Sequence, residues 1–600
     1  MKTNILALEL FNSVLKTKQE NTDIIVNNIH GFVIESGSPD AESDVVSFFK
    51  NKKVSGQDLN KTFHKSWKKV QDSTREELLV HQILHYLTTY GDLSGTDFVY
   101  IPNEELDVPE LDELSYKVIH TLTEKELTQK CLNLLASGIA LKEETLKKVF
   151  ILLESLDYNF SGDEEINNKE AVILIADRYS VFPKDPVDAL RYCVYKSTDS
   201  TLLIKNKITI DLIKESTFTP KKVFNFVGLK NMATIFNRFK PLFLAYKTHC
   251  PKVINRISKL SKEYHKPLPT NALSEVTQRV LDDNDKHWLD NANEFSLFKA
   301  LNACWLRLKG QDTFTYAIRN GRSYSKENDC SLSKESLKSN YDFIFSVLKE
   351  KAVTENKVIY EPENINYALP TSEKLFVGNV PFGTKVISDK LSAGIYWENE
   401  WGATDLDLST INLDGKIGWN SDYYNKGQTL TYSGDMTYAD NGAVEYFYVN
   451  GNIQPTLLFN NIYSGQVNCE FNLIVGLGDN PDRKFMMNPN KVLASERSEM
   501  KKRAALLGFF LPEKDGNVSY TFFNVATTNA QVSGRTEVSD LFLESLKQQF
   551  TNQLMLKPLF EKLGFKFTND KKEANIDLSI DKLDRNTFID LFSKKIVLEN

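Results

Sequence analysis

The sequence predicts a multidomain protein: an all-α N-terminal region followed by an all-β sandwich with added helices. Three observations carry this. The chain has 600 residues, more than one ordinary core of roughly 100–200 residues holds. Apolar residues make up 41% and charged residues 26%, the composition of a folded chain and not of a disordered one. Near residue 370 the hydrophobic pattern changes from a helical period to short alternating segments.

Residues 1–365 read as helical. MKTNILALELFNSVLKTKQ has an apolar stretch interrupted by Glu9 and no small-residue cleavage site, which predicts a helix and not a signal peptide. In 74–90, Leu78, Leu79, Ile83, Leu84 and Leu87 form a helix stripe. Similar stripes predict helices near 121–137, 141–156, 169–179, 186–196, 221–247, 252–264, 288–308 and 333–351. Asp185-Pro186 is a helix start with Pro at the first position. One β-hairpin near 313–325 interrupts this region, turning at Asn320-Gly321. Pro362 and Pro370 stiffen a polar boundary at 361–371.

Residues 372–480 read as the sandwich core. KLFVGNV, GIYWEN, STINL, QTLTYSG, AVEYFYVNG, TLLFNNIYSG and CEFNLIVGL are aromatic or β-branched and are separated by Gly, Asn and Asp. Residues 481–600 continue the sandwich with VSYTFFNVAT and add helices near 493–507 and 538–563.

Composition excludes several classes. Lys plus Arg number 73 and Asp plus Glu 80, a net charge of −7, unlike a chain wholly devoted to coating nucleic acid. Six cysteines without a CxxC pair exclude a disulfide scaffold and a thiolate zinc site. No apolar run reaches the ~18 residues of a membrane span, so a cytoplasmic location is expected. None of the eight histidines follows His287. The C-terminal half therefore lacks the parts for Ser-His-Asp or Cys-His chemistry, and a metal there is held by oxygen. No P-loop, GxSxG, kinase or Rossmann pattern is present, so a binding or scaffold protein is expected before an enzyme.

The most informative constellation lies within 395–449. Asp405 and Asp407 flank Leu406, and in a strand positions i and i+2 share a face. Gly434-Asp435 then opens a polar loop with Thr437, Asp440 and Asn441, and Glu445 follows it. Such oxygens suit Ca²⁺, which takes six to eight. The same residues also read as a solvated acidic rim on a sandwich edge. Tyr396-Trp397-Glu398, Asp405-Leu406-Asp407-Leu408-Ser409, Gly434-Asp435 and Glu445 together resemble, in order and spacing, the motifs of the tellurite-resistance TerD family.

The resemblance covers about 375–480. It implies a calcium-binding β-sandwich with Asp405, Asp407, Asp435 and Glu445 as ligands, backbone oxygens near Thr437 and Asp440 supplementing them, and a bacterial stress-response or phage-defence setting. The loop here is thinner in acids than the family's, and Glu398 stands where Asp is expected, which implies weaker binding or one Ca²⁺ in place of two. Ordering of 434–445 by the ion would create a surface for a protein partner or for self-association. A structural subunit of a phage or bacterial assembly is a further reading.

Two weaker signals remain. Residues 201–270 hold fourteen Lys/Arg against three acids, with interleaved Phe. They read either as a nucleic-acid surface using Lys221, Lys222 and Arg238, or as a face balanced by the sixteen acids of 101–170. Arg319 and Arg322 flank the hairpin turn, which reads either as an ordinary exposed turn or as a phosphate grip that would extend a nucleic-acid surface. His81 and His85 share a helical face, but Gln82 stands where a zincin needs Glu, so ordinary helix-face histidines are expected.

Overall fold

The computed structural model describes residues 2–16, 24–27, 31–36, 38, 41–52, 116–264, 271–317, 323–419, 421–440, 442–451, 453–478, 491–527, 545–583 and 586–591. The helix expected at 74–90, with His81 and His85, and the hairpin tip with Arg319 and Arg322 lie outside the described residues.

The N-terminal region is not all helical. Strands Ser13–Leu15, Lys117–Leu122, Phe32–Ile34 and Ile25–Asn27 form a four-stranded sheet in that spatial order. Lys117–Leu122 runs parallel to both of its neighbours. Helices Lys2–Phe11 and Glu42–Lys52 pack on this sheet, with Leu8, Val14, Phe32, Ile34, Val45 and Ile119 in one core. Three of the strands have three residues each, too short for a two-residue period to show in sequence.

Helices then follow close to their expected places: Glu124–Ala136, Glu143–Ser155, Lys169–Tyr179 and Pro186–Thr198. Asp185 caps the last of these, accepting from the Val187 and Asp188 N–H groups at 2.8 and 2.9 Å. The stretch 221–247 is three short helices, Lys221–Val227, Leu229–Phe236 and Lys240–Ala245, broken at Gly228 and before Pro241. With Pro251–Leu260 they close a second core around Phe224, Phe236, Phe243 and Tyr246. Glu294–Leu308 and Lys334–Lys351 pack side by side. The antiparallel pair Thr313–Ala317 and Ser323–Glu327 lies between them in sequence.

Beyond residue 365 the chain is rich in β structure. A seven-stranded antiparallel sheet runs Gly415–Gly418, Ala403–Asn412, Thr456–Gly465, Ala504–Pro512, Val518–Ala526, Lys385–Ser388, Ile365–Asn366. A five-stranded antiparallel sheet runs Leu430–Tyr432, Ala443–Asn450, Lys390–Trp397, Cys469–Leu477, Val492–Met500. Leu406, Leu408, Leu458 and Ile462 of the first share a core with Ile395, Trp397, Phe447 and Leu473 of the second. On the other face of the first sheet, Ile411, Phe459, Phe509 and Phe523 pack with Leu546 and Phe550 of a helix at 545–552.

The helix expected near 493–507 is absent, and strands Val492–Met500 and Ala504–Pro512 occupy it. AALLGFFLP has helix-forming Ala and Leu, but it is a strand packed on both faces, so its apolar run has no alternation to announce it.

The C-terminal segment returns to the helices. Val358–Tyr360 lies between Lys566–Thr568 and Ile576–Asp577, parallel to both. Trp305 Nε1 donates to the Asn552 carbonyl at 2.9 Å, and the Phe298 and Phe560 rings lie 5.9 Å apart. No helix among the described residues is long and apolar enough to cross a membrane.

Candidate metal centre

Strand Ala403–Asn412 turns Leu406 and Leu408 into the inter-sheet core and its carboxylates away from it. The ladder to Thr456–Gly465 is irregular around Asp405, then pairs Asp407 with Asn461. Asn461 Nδ2 donates to the Asp407 carbonyl at 3.1 Å and to Ser409 Oγ at 3.2 Å, fixing the strand beneath the site.

The loop after Leu430–Tyr432 brings the third carboxylate. Ser433 exchanges bonds with Tyr446, its N–H to the carbonyl and its Oγ from the N–H, both at 2.9 Å. Gly434 follows with φ +121°, a conformation side chains disfavour, and this aims Asp435 at the strand. One oxygen from each of Asp405, Asp407 and Asp435 then lies within 4.8 Å of the others.

The electrostatics of this cluster are unbalanced. Asp405 is 5% exposed and Asp407 2% exposed, while Asp435 faces solvent. Asp405 Oδ1 and Asp407 Oδ2 are buried without a hydrogen-bond partner. Burial, then the nearby Asp435, pushes the Asp405 carboxyl up to about 6. Burial, then Asp405 and Asp435, pushes Asp407 up to about 8, with Lys416 opposing. Lys416 stands 4.1 Å over the Trp419 ring, and burial lowers its ammonium's pKa against the pull of Asp407.

The other residues expected as ligands lie outside this group of three. Glu445 is fully buried; its Oε2 accepts from the Leu408 N–H at 2.7 Å and its Oε1 from the Met436 N–H at 2.9 Å. It therefore ties the loop to the strand edge and stands outside the group of three, with burial raising its pKa. Asp440 Oδ1 accepts from Asn399 Nδ2 at 2.5 Å, which holds the far end of the loop. Thr437 is exposed, and Asn441 lies outside the described residues. Glu398 accepts a hydrogen bond from the Tyr396 hydroxyl. Lys416, Trp419 and Asn461 were not expected at the site. The Asp414-Gly415 hairpin dipeptide was the sequence signal that sets Lys416 beside this strand.

Lys221 and Lys222 are exposed at the start of Lys221–Val227. Arg238 is exposed, its guanidinium 5.0 Å from the Phe239 ring centre.

No family model matches this chain, and no curated protein matches it. Among solved structures it is similar to a protein of unknown function, at 13% identity over 24% of this chain and 92% of that one, with a TM-score of 0.19. It is also similar, at 11% identity over 26% of this chain and 95% of the other with a TM-score of 0.18, to a homologue of the telluride resistance protein TerD from Streptomyces coelicolor A3(2).

Proposed function

We propose that the chain is a calcium-binding scaffold or binding protein whose β-rich part is a TerD-like sandwich. The observation that carries the reading is the pair of buried oxygens, Asp405 Oδ1 and Asp407 Oδ2, left without donors next to Asp435. Burying carboxylates without partners is costly, and a bound cation repays that cost. All three side chains offer oxygen, which suits a hard ion. Ca²⁺ is favoured over Mg²⁺ because a loop with one exposed carboxylate suits flexible coordination better than a strict octahedron. Asp405 and Asp407 would form the fixed floor and Asp435 the closing arm, with backbone carbonyls and water completing the shell. The ion would hold 433–440 in place and present it to a protein partner or a second copy, in a stress-response or phage-defence role.

A thermal melt in EDTA, in Mg²⁺ and in Ca²⁺ tests this. At about 100 times its Kd, calcium stabilises by about 2.7 kcal/mol. The expected result is an upward shift specific to calcium, absent from the Asp405→Asn/Asp407→Asn double variant. No shift at millimolar calcium would refute the reading.

A further inference from the structure

The helices after residue 200 carry an unneutralised surface. Thirteen Lys and Arg between Lys205 and Lys262 are all exposed, against Asp211, Glu215 and Glu263. Among the described residues none of the thirteen forms an ion pair. Exposed apolar side chains lie among these charges: Ile204, Ile208, Leu212 and Leu244, with Ile208 69% exposed, and the single exposed phenylalanine among these described residues, Phe226.

The aliphatic side chains lie on, or just before, two helices that pack against each other. Ile208 and Leu212 are four apart on helix Lys207–Glu215, with Ile204 just before it. That helix packs against Lys240–Ala245, which carries Leu244. Lys205 Nζ donates to the Arg238 carbonyl at 3.2 Å, and His249 Nε2 bonds the Ile213 carbonyl at 2.9 Å, locking the helix to 238–249 at both ends. Lys240 lies one turn before Leu244 on its helix, Lys247 follows in the next turn, and Arg238 is held beside Lys205.

We propose that this surface docks on an anionic phospholipid bilayer. Ile204, Ile208, Leu212 and Leu244 would enter the acyl boundary, and the surrounding ammonium and guanidinium groups would meet headgroup phosphates. Aliphatic tips projecting between cations fit a bilayer interface. A nucleic-acid strand prefers aromatic faces for stacking in a charged groove, and the phenylalanines here mostly fill the core. The inference is independent of the calcium site.

Flotation of the full chain with vesicles tests it, comparing phosphatidylcholine alone with phosphatidylcholine containing about 30% phosphatidylglycerol. Binding to the anionic vesicles at least about tenfold tighter is expected. Ile208→Ser/Leu212→Ser should lose about tenfold with every charge retained, Ile208→Trp should tighten binding, and Lys240→Glu/Lys247→Glu should weaken it further. Far-UV spectra and melts check that each variant folds. Absence of anionic selectivity overturns the proposal. So does binding that Ile208→Ser/Leu212→Ser and Ile208→Trp leave unchanged, and so does salt-sensitive binding to single-stranded RNA that displaces the vesicles while the serine variant keeps full RNA affinity.

Discussion

Asp407 shows how much a single side chain here depends on what accompanies it. Its carboxyl is pushed up to about 8 and that of Asp405 up to about 6. From about pH 4 upward the unfolded chain has lost these protons while the cation-free fold keeps them. The fold binds more protons in that window, so its stability falls as pH rises toward about 8. Melts in EDTA from about pH 5 to about pH 8 should show a declining midpoint. Calcium should flatten the decline and release protons on binding, measurable in buffers of different ionisation enthalpy. Lys416 offers part of the missing charge. Removing it in Lys416→Met should tighten calcium by roughly fivefold, about 1 kcal/mol, in titration calorimetry. The i, i+2 spacing made Asp405 and Asp407 legible in sequence. Glu445 was legible as a carboxylate of the loop, but sequence does not record that the Leu408 and Met436 N–H groups bond its two oxygens.

At the level of the loop and its strands, geometry comes from Glu445, Ser433 and Gly434 together. Gly434→Ala forces a side chain into φ +121°, at a cost of about 1–3 kcal/mol. The expected outcome is calcium affinity weakened at least tenfold with little change in the far-UV spectrum, since the sheet ladders beneath are untouched. The strands between residues 385 and 477 were largely legible, because aromatic and β-branched runs there are separated by Gly, Asn and Asp. Ala504–Pro512 was not, since a strand packed on both faces loses its alternation. The three-residue N-terminal strands are below the length at which any period registers.

Across the whole molecule, the C-terminal segment joins the helices to the sheets. Phe560 contacts Phe298 in the helical layer and Phe565 beyond its own helix. Phe560→Ala should cost about 3–5 kcal/mol. It should lower the melting of helical and β signals together, as coincident transitions in far-UV dichroism and tryptophan fluorescence. Uncoupled transitions would show that the halves unfold separately. This closure was invisible in sequence, because parallel pairing between strands of two or three residues leaves no local pattern.

The position of Val358–Tyr360 also sets a schedule for biosynthesis. Its N–H at Val358 bonds the Asn575 side chain, 217 positions later, and both its flanking strands come from that late stretch. At about 5–20 residues per second, a ribosome needs some 10–40 s to supply them. Through that interval both edges of the strand are bare while the whole β half emerges between them. The nascent chain must therefore wait with an unsealed edge, the state in which strands pair with the wrong neighbour and in which chaperones engage.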